Sequence, residues 1–152
     1  MLIQYSRRAQ GTFALAWGEA GRRGAEIIGT EHLLLALLAD TYSVAWRVMD
    51  RLGDGTEAIR ADLQAELPAG DGEPSALDED VPLDLLPLTP EAQRAVEVAR
   101  VESRRMEEYS VGTGHLLLGL LAEAESLAAL SLARHAVDPA RVRQEMAREQ
   151  EL

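Results

Sequence analysis

Apolar residues recur at helical spacing over four stretches of this chain, give way to an acidic segment rich in Pro and Gly, and then recur over four more. Ser6 is placed to cap a first helix running to about Arg22, with Phe13, Ala16, Trp17 and Ala20 along one stripe. The next stretch, EHLLLALLAD after Thr30, differs in kind. Its Leu33, Leu34, Leu35, Leu37 and Leu38 cover nearly the whole circumference, which predicts a central buried helix with Thr30 as its cap. A third helix is expected from near Ser43 to Gly53, and a fourth from Asp54 or Thr56 to just before Pro68. Residues 68–87, PAGDGEPSALDEDVPLDLLP, read as a linker. The pattern resumes with expected helices at about 89–106, 112–123, 125–135 and 138–149, the last opened by Asp138 and Pro139.

The two sets of helices are one pattern written twice. An offset of 83 residues places Ser6 on Thr89, Gln10 on Gln93, Glu19 on Glu102, Gly29 on Gly112, Thr30 on Thr113, His32 on His115, Ser43 on Ser126 and Arg51 on Arg134, with no gap. The leucines after each histidine follow in the same register. A register shared over four successive helices predicts an all-α fold of two four-helix units, about eight helices in all, related by a pseudo-twofold and stacked to bury their apolar faces. The expected organisation is a single domain over residues 1–152: repeat one at 2–67, the acidic linker at 68–87, and repeat two at 88–150.

Composition narrows the function classes. The 152 residues carry 15 basic against 26 acidic side chains, a formal charge of −11, which repels nucleic acid and anionic lipid and leaves no basic stripe to hold either. There is no cysteine, so disulfides, thiolate metal sites and a cysteine nucleophile are excluded. Every basic residue is arginine; without lysine there is no Gly-Lys-Ser/Thr phosphate loop and no lysine Schiff base. No apolar run approaches membrane-spanning length, and the opening MLIQYSRRAQ lacks the apolar core of a secretory leader, so a cytoplasmic location is the default expectation. No nucleophile–base constellation or paired-carboxylate motif supports an enzyme, and neither a cofactor nor a metal site is expected.

The segments that carry the repeat also carry a resemblance. YSRRA opening the first copy, LTPEA opening the second, and IGTEHLLL and VGTGHLLL at the buried helices resemble the Clp N-terminal domain, the double-repeat module at the front of Clp unfoldase ATPases, and within it the ClpC branch. The likeness runs from residue 2 to about 150. It implies a non-catalytic protein-binding module that receives substrates and adaptor proteins for the unfoldase and, in the ClpC branch, binds phosphorylated arginine as a degradation mark. The two nucleotide-binding modules that follow this domain in a Clp ATPase are not in this sequence, and the departure of the central linker from its usual short form together with the loss of Glu31's partner suggests a free-standing relative acting as a modulator or decoy. The alternative is the excised N-terminal domain of a full ClpC-type AAA+ unfoldase.

The resemblance also assigns residues. Phosphoarginine joins a dianionic phosphoryl group to a cationic guanidinium, so its receptor needs donors for the first and a carboxylate for the second. Ser6 and Glu31 match the first-copy site, with hydroxyl and helix starts supplying donors and Glu31 the carboxylate. Thr89 matches the hydroxyl of the second copy, but Gly114 stands where its carboxylate belongs, so at most one intact site is expected. A peptide-binding surface in the same family corresponds here to Leu2, Phe13, Leu88, Gln93 and Glu97, with leucines at Leu2 and Leu88 where the family carries aromatics. Each assignment has a plainer reading. Ser6, Thr30, Thr89 and Thr113 are good helix caps in any protein, and Glu31 suits a helix start electrostatically. His32 and His115 read as hydrogen-bonded packing residues, His135 as a surface residue, and Trp17 and Trp46 as packing residues.

Overall fold

The computed structural model describes residues 4–78 and 80–150. Among them are eight α-helices: α1 (Arg7–Arg22), α2 (Thr30–Ala39), α3 (Val44–Arg51), α4 (Thr56–Ala65), α5 (Pro90–Arg105), α6 (Thr113–Ala122), α7 (Leu127–Arg134) and α8 (Pro139–Gln150), with a short 3-10 turn at Leu83–Leu85 before α5. The all-α expectation holds, and each helix falls at its expected place in the chain.

Side-chain oxygens start most of these helices. Ser6, Ser43, Thr89 and Ser126 each accept from the amide three residues on, at 3.0–3.2 Å, and Asp138 Oδ1 accepts from Arg141 N at 3.0 Å. The two leucine helices start differently from what the sequence suggested. Thr30 and Thr113 are not their caps but their first helical residues, both buried, and the N-cap residues are Gly29 and Gly112. The cap is closed from inside the helix, where Nδ1 of His32 accepts from the Gly29 amide at 2.9 Å and Nδ1 of His115 from the Gly112 amide at 2.8 Å. This is the returning half of a capping box, with histidine at N3 in place of Glu or Gln. Thr113 is then free to reach the other repeat, where its Oγ1 accepts from Ala45 N in the first turn of α3 at 3.2 Å.

Buried side chains from both repeats form one continuous core. Helix α1 lies along α2, α5 along α6, and α2 against α6. The fourth helices cross over: α8 packs on α3 and α4 on α7. Ion pairs mark both seams in the same register. Arg51 at the end of α3 meets Glu145 (3.1 Å) and Glu149 (2.8 Å) of α8, while Arg134 at the end of α7 meets Asp62 (3.2 Å) and Glu66 (3.1 Å) of α4. Glu102 of α5, only 5% exposed, takes both arms of Arg143 from α8 at 2.7 and 3.3 Å, and this pairing holds its carboxyl below the usual carboxylate range.

The described part of the linker packs against the helices. Gly72 N donates to Arg22 O (3.0 Å), Trp17 Nε1 donates to Ala76 O (3.2 Å), and Leu77 and Leu83 pack on the core. The strap rides a face of α1 kept low by Gly18 and Gly21: Pro74 sits over the first, and a Cβ on the second would collide with Ser75. We expect Gly21→Leu to lift this strap, with a loss of about 1–3 kcal/mol in urea unfolding and faster proteolysis within residues 70–78. Unchanged proteolysis would mean that the contact does not hold the strap.

Candidate functional site

Two isolated parallel bridges decide which helix starts come together. Tyr5 pairs with Val111 and Ile28 with Leu88. The first fixes Ser6 beside the start of α6, with Ser6 N donating to Val111 O at 2.9 Å. The second fixes Thr89 beside the start of α2, with Thr89 N donating to Ile28 O at 2.9 Å. Each helix-start pair is therefore built across the repeats. Glu31 shares its cavity with Thr89, and Ser6 lies beside Gly112, so the within-copy groupings of Ser6 with Glu31 and of Thr89 with Gly114 are corrected. An offset along the chain identifies equivalent positions but carries no information on which copies face each other.

The Glu31–Thr89 side is an open cleft of about 700 Å³. Its walls are Thr30 and Glu31 from α2, Thr89, Glu91 and Arg94 from α5, and the α6–α7 connection from Glu123 to Leu127. Glu31 folds back over Gly29, its Oε1 3.9 Å from His32 Nδ1. In the same cleft, Arg94 Nε donates to Glu123 Oε1 at 2.6 Å, with Glu91 at 3.9 Å. The Thr89 hydroxyl accepts from Ala92 N, which leaves its own proton to donate. The first amides of α2 have no acceptor within the helix and sit at the positive end of its dipole. The cleft thus gathers a carboxylate, a guanidinium, a hydroxyl and the start of α2 on one cavity. Sequence reasoning missed Arg94, Glu91, Glu123 and Glu125. Arg94 is legible only as an exception to the repeat, since its counterpart is Gly11.

Beside Gly114 lies a smaller space of about 200 Å³ bounded by the start of α6 and by α3 and α8, and Ser6 does not line it. Gly114 is not an empty carboxylate position: Met146 of α8 lies on it, and a Cβ there would stand 2.6 Å from the methionine methyl and 2.9 Å from its sulfur. Arg47 holds Glu149 at 3.0 Å beside this contact. His115 is 2% exposed, with Nε2 3.8 Å from Glu108. Burial pushes the imidazoles of both His32 and His115 below the ordinary histidine range, against the opposing pull of nearby carboxylates. Both rings are buried capping groups, and among the described residues no cluster of His, Asp or Glu could hold a metal ion.

The remaining candidates are dispersed. Leu2 lies outside the described residues. Phe13 is 1% exposed, edge-on to Tyr5 at 5.0 Å between ring centroids, and offers no surface to a ligand. Leu88 is half-buried in its bridge to Ile28. Gln93 and Glu97 are exposed on α5, with Gln93 Nε2 donating to Leu88 O at 3.3 Å. Tyr5 lies between these elements, its phenol pushed up to about 12 by burial and by Asp84 and Glu97. Trp17 packs on the core, whereas Trp46 is half-buried.

The architecture defines a double-repeat helical domain whose clefts lie between helix starts contributed by opposite repeats. A family model described as the Clp repeat (R) N-terminal domain matches residues 4–132 and 87–152, and the chain belongs to that family. It is 33% identical over 146 residues to the Bacillus subtilis negative regulator of genetic competence ClpC/MecB, covering 96% of this chain and 17% of that protein. It is 30% identical over 148 residues to the chloroplastic chaperone ClpC of Pisum sativum, covering 97% of this chain and 15% of that protein. The chain thus spans about a sixth of the length of these curated relatives. The same fold occurs in the N-terminal domain of the chaperone ClpD from Arabidopsis thaliana, with a TM-score of 0.69, 18% identity, and coverage of 100% of this chain and 98% of that one. A structure from a malarial protein secretion system superposes with a TM-score of 0.76 at 16% identity, covering 96% of this chain and 94% of that one.

If Met146 occupies the Gly114 position, Gly114→Glu will displace it and cost about 1–3 kcal/mol in chemical unfolding. Adding Met146→Ala should recover part of that loss by making room. A Gly114→Glu variant as stable as the parent would show that α8 does not close this space.

Proposed function

We propose that this domain is a non-catalytic receptor of the Clp proteolysis system that takes up substrates, adaptors or phosphoarginine-marked chains at the cleft between the starts of α2 and α5. The observation that carries this reading is that Glu31, Thr89 and Arg94 line one open cavity. A phosphoarginine side chain matches that polarity. Its guanidinium meets the Glu31 carboxylate, while its phosphoryl oxygens meet the Thr89 hydroxyl, the α2 amides and Arg94. Arg94 would share its charge between the ligand and Glu123, to which it is bonded in the free domain.

The Gly114 position, without a carboxylate and covered by Met146, supports a receptor with one working site. Such a domain competes for the ligands of a two-site N-domain without duplicating it, which favours a modulator or decoy of Clp unfolding. The cleft's hydroxyls at Thr89 and Ser126 serve as helix caps.

Isothermal titration with a phosphoarginine peptide is expected to show one site per chain. Glu31→Ala and Arg94→Ala should each weaken it roughly tenfold or more, as expected for loss of a charge-assisted hydrogen bond. The unphosphorylated peptide should keep only the Glu31-dependent part. Two equal sites, or binding indifferent to both substitutions, would contradict this reading.

A further inference from the structure

The α6–α7 connection borders a second hollow, of about 350 Å³, next to the cleft. Leu121, Ala129 and Val137 form its buried floor, with Ala124, Ala133 and Pro139 around them. Its one charged wall residue, Asp138, accepts from Arg141 N at 3.0 Å and so turns its carboxylate to the start of α8. The hollow is therefore apolar where the cleft is charged. Ala124 belongs to the walls of both, so the two spaces adjoin.

The turn between α7 and α8, which forms one wall, is docked on the first repeat. The His135 side chain there is only 15% exposed and is not the surface residue expected from the sequence. Its Nδ1 lies 2.9 Å from Asp54 Oδ2 and its Nε2 3.1 Å from Asp62 Oδ2. Gly53 lies so close to this turn that a Cβ on it would collide with the His135 carbonyl. The wall is preformed, which spares a ligand the cost of ordering it.

The pseudo-twofold supplies an internal comparison. At the equivalent positions of repeat one, Trp46 stands for Ala129, Asp50 for Ala133 and Asp54 for Val137. Ala136 adds a methyl where the equivalent Gly53 has none, although both hold a left-handed backbone, with φ of 61° and 56°. The bulky and charged set belongs to α3 and its flanking turn, and α3 borders the Gly114 corner through Val44 and Arg47. The small apolar set borders the corner that keeps Glu31 and Arg94. Two differences between the repeats thus coincide at one corner, and a hollow left by loose packing has no reason to follow the cleft.

Resting on the reading of the cleft as a phosphoarginine receptor, we propose that the hollow is its second subsite and takes an apolar side chain of the same bound chain, within two residues of the marked arginine. Residues of an extended chain follow one another at about 3.3 Å. A segment crossing Ala124 then seats its charged residue in one space and a leucine-sized neighbour in the other. The ligand class is an unfolded segment in which an apolar residue accompanies the mark, since a folded protein keeps most such side chains inside. Recognition in this way joins the mark to loss of structure.

The test is isothermal titration of the whole chain with five-residue peptides that carry a central phosphoarginine, glycine elsewhere, and leucine in turn at each flanking position. At least one leucine peptide should bind roughly tenfold tighter than the all-glycine peptide, the scale of burying most of a leucine side chain. It should also shift the amides of Ala129, Ala133 and Val137, which the all-glycine peptide leaves in place. Ala129→Trp and Ala133→Asp each copy repeat one and should remove the difference between the two peptides. Ala133 is exposed, so its variant tests the hollow without disturbing the core. If the all-glycine peptide binds and no leucine improves on it, or if the gain survives Ala133→Asp, the hollow is not a subsite and the cleft reading stands alone. If no peptide binds, the cleft reading fails and the subsite falls with it. Shifts of the same amides on concentrating the free domain would assign the hollow to a second copy and overturn the proposal.

Discussion

Helices α2 and α6 carry leucines on every side, and such a helix can be buried only if neighbours surround it completely. One four-helix unit does not supply enough neighbours. Each leucine helix is covered by the first helix of its own repeat, by its counterpart, and by helices from the opposite copy. The crossing of α8 onto α3 and α4 onto α7, the Thr113 bond into the first turn of α3, and the paired arginine seams all follow from that requirement. The two repeats therefore fold as one core, since neither buries its leucines alone.

The same constraint generates the cleft. Burying α2 and α6 side by side brings their starts to the surface, where the bridges at Ile28–Leu88 and Tyr5–Val111 deliver the first helix of the opposite repeat. Two equivalent corners result, and side-chain size decides their fates. At one, Glu31 lies back over a glycine and leaves a cavity facing Arg94. At the other, Gly114 has no side chain, and the methionine of α8 moves into the space. The change from Glu31 to Gly114 removes a carboxylate and leaves the position to Met146, while Gly11 stands where the open cleft has Arg94.

Much of this was legible from residue spacing. The eight helices, the 83-residue offset and the all-round leucines at 33–38 predicted a double-repeat helical fold, and the family match agrees. Local chemistry misled at Thr30 and Thr113, because a threonine before an apolar run looks like a cap, whereas the capping acceptor is a histidine ring returning from within the helix. Pairing between copies was not legible, since it depends on three-dimensional closure and not on position along the chain. The strap reads in sequence only as a linker; its hold on α1 rests on two glycines that signal nothing without a partner in view. His135 looked unremarkable as a lone polar residue after a helix, and its two carboxylate partners lie 81 and 73 residues away.

In the proposed receptor the ligand site is assembled across the repeats and is open at one corner only. Amide chemical-shift mapping with free phosphoarginine distinguishes this arrangement from two independent corners. The expected result is a set of perturbations confined to residues 29–31, 89–94 and 123–126, saturating together with a single affinity. Perturbations centred on Ser6 and residues 112–114, or two sets saturating independently, would contradict it.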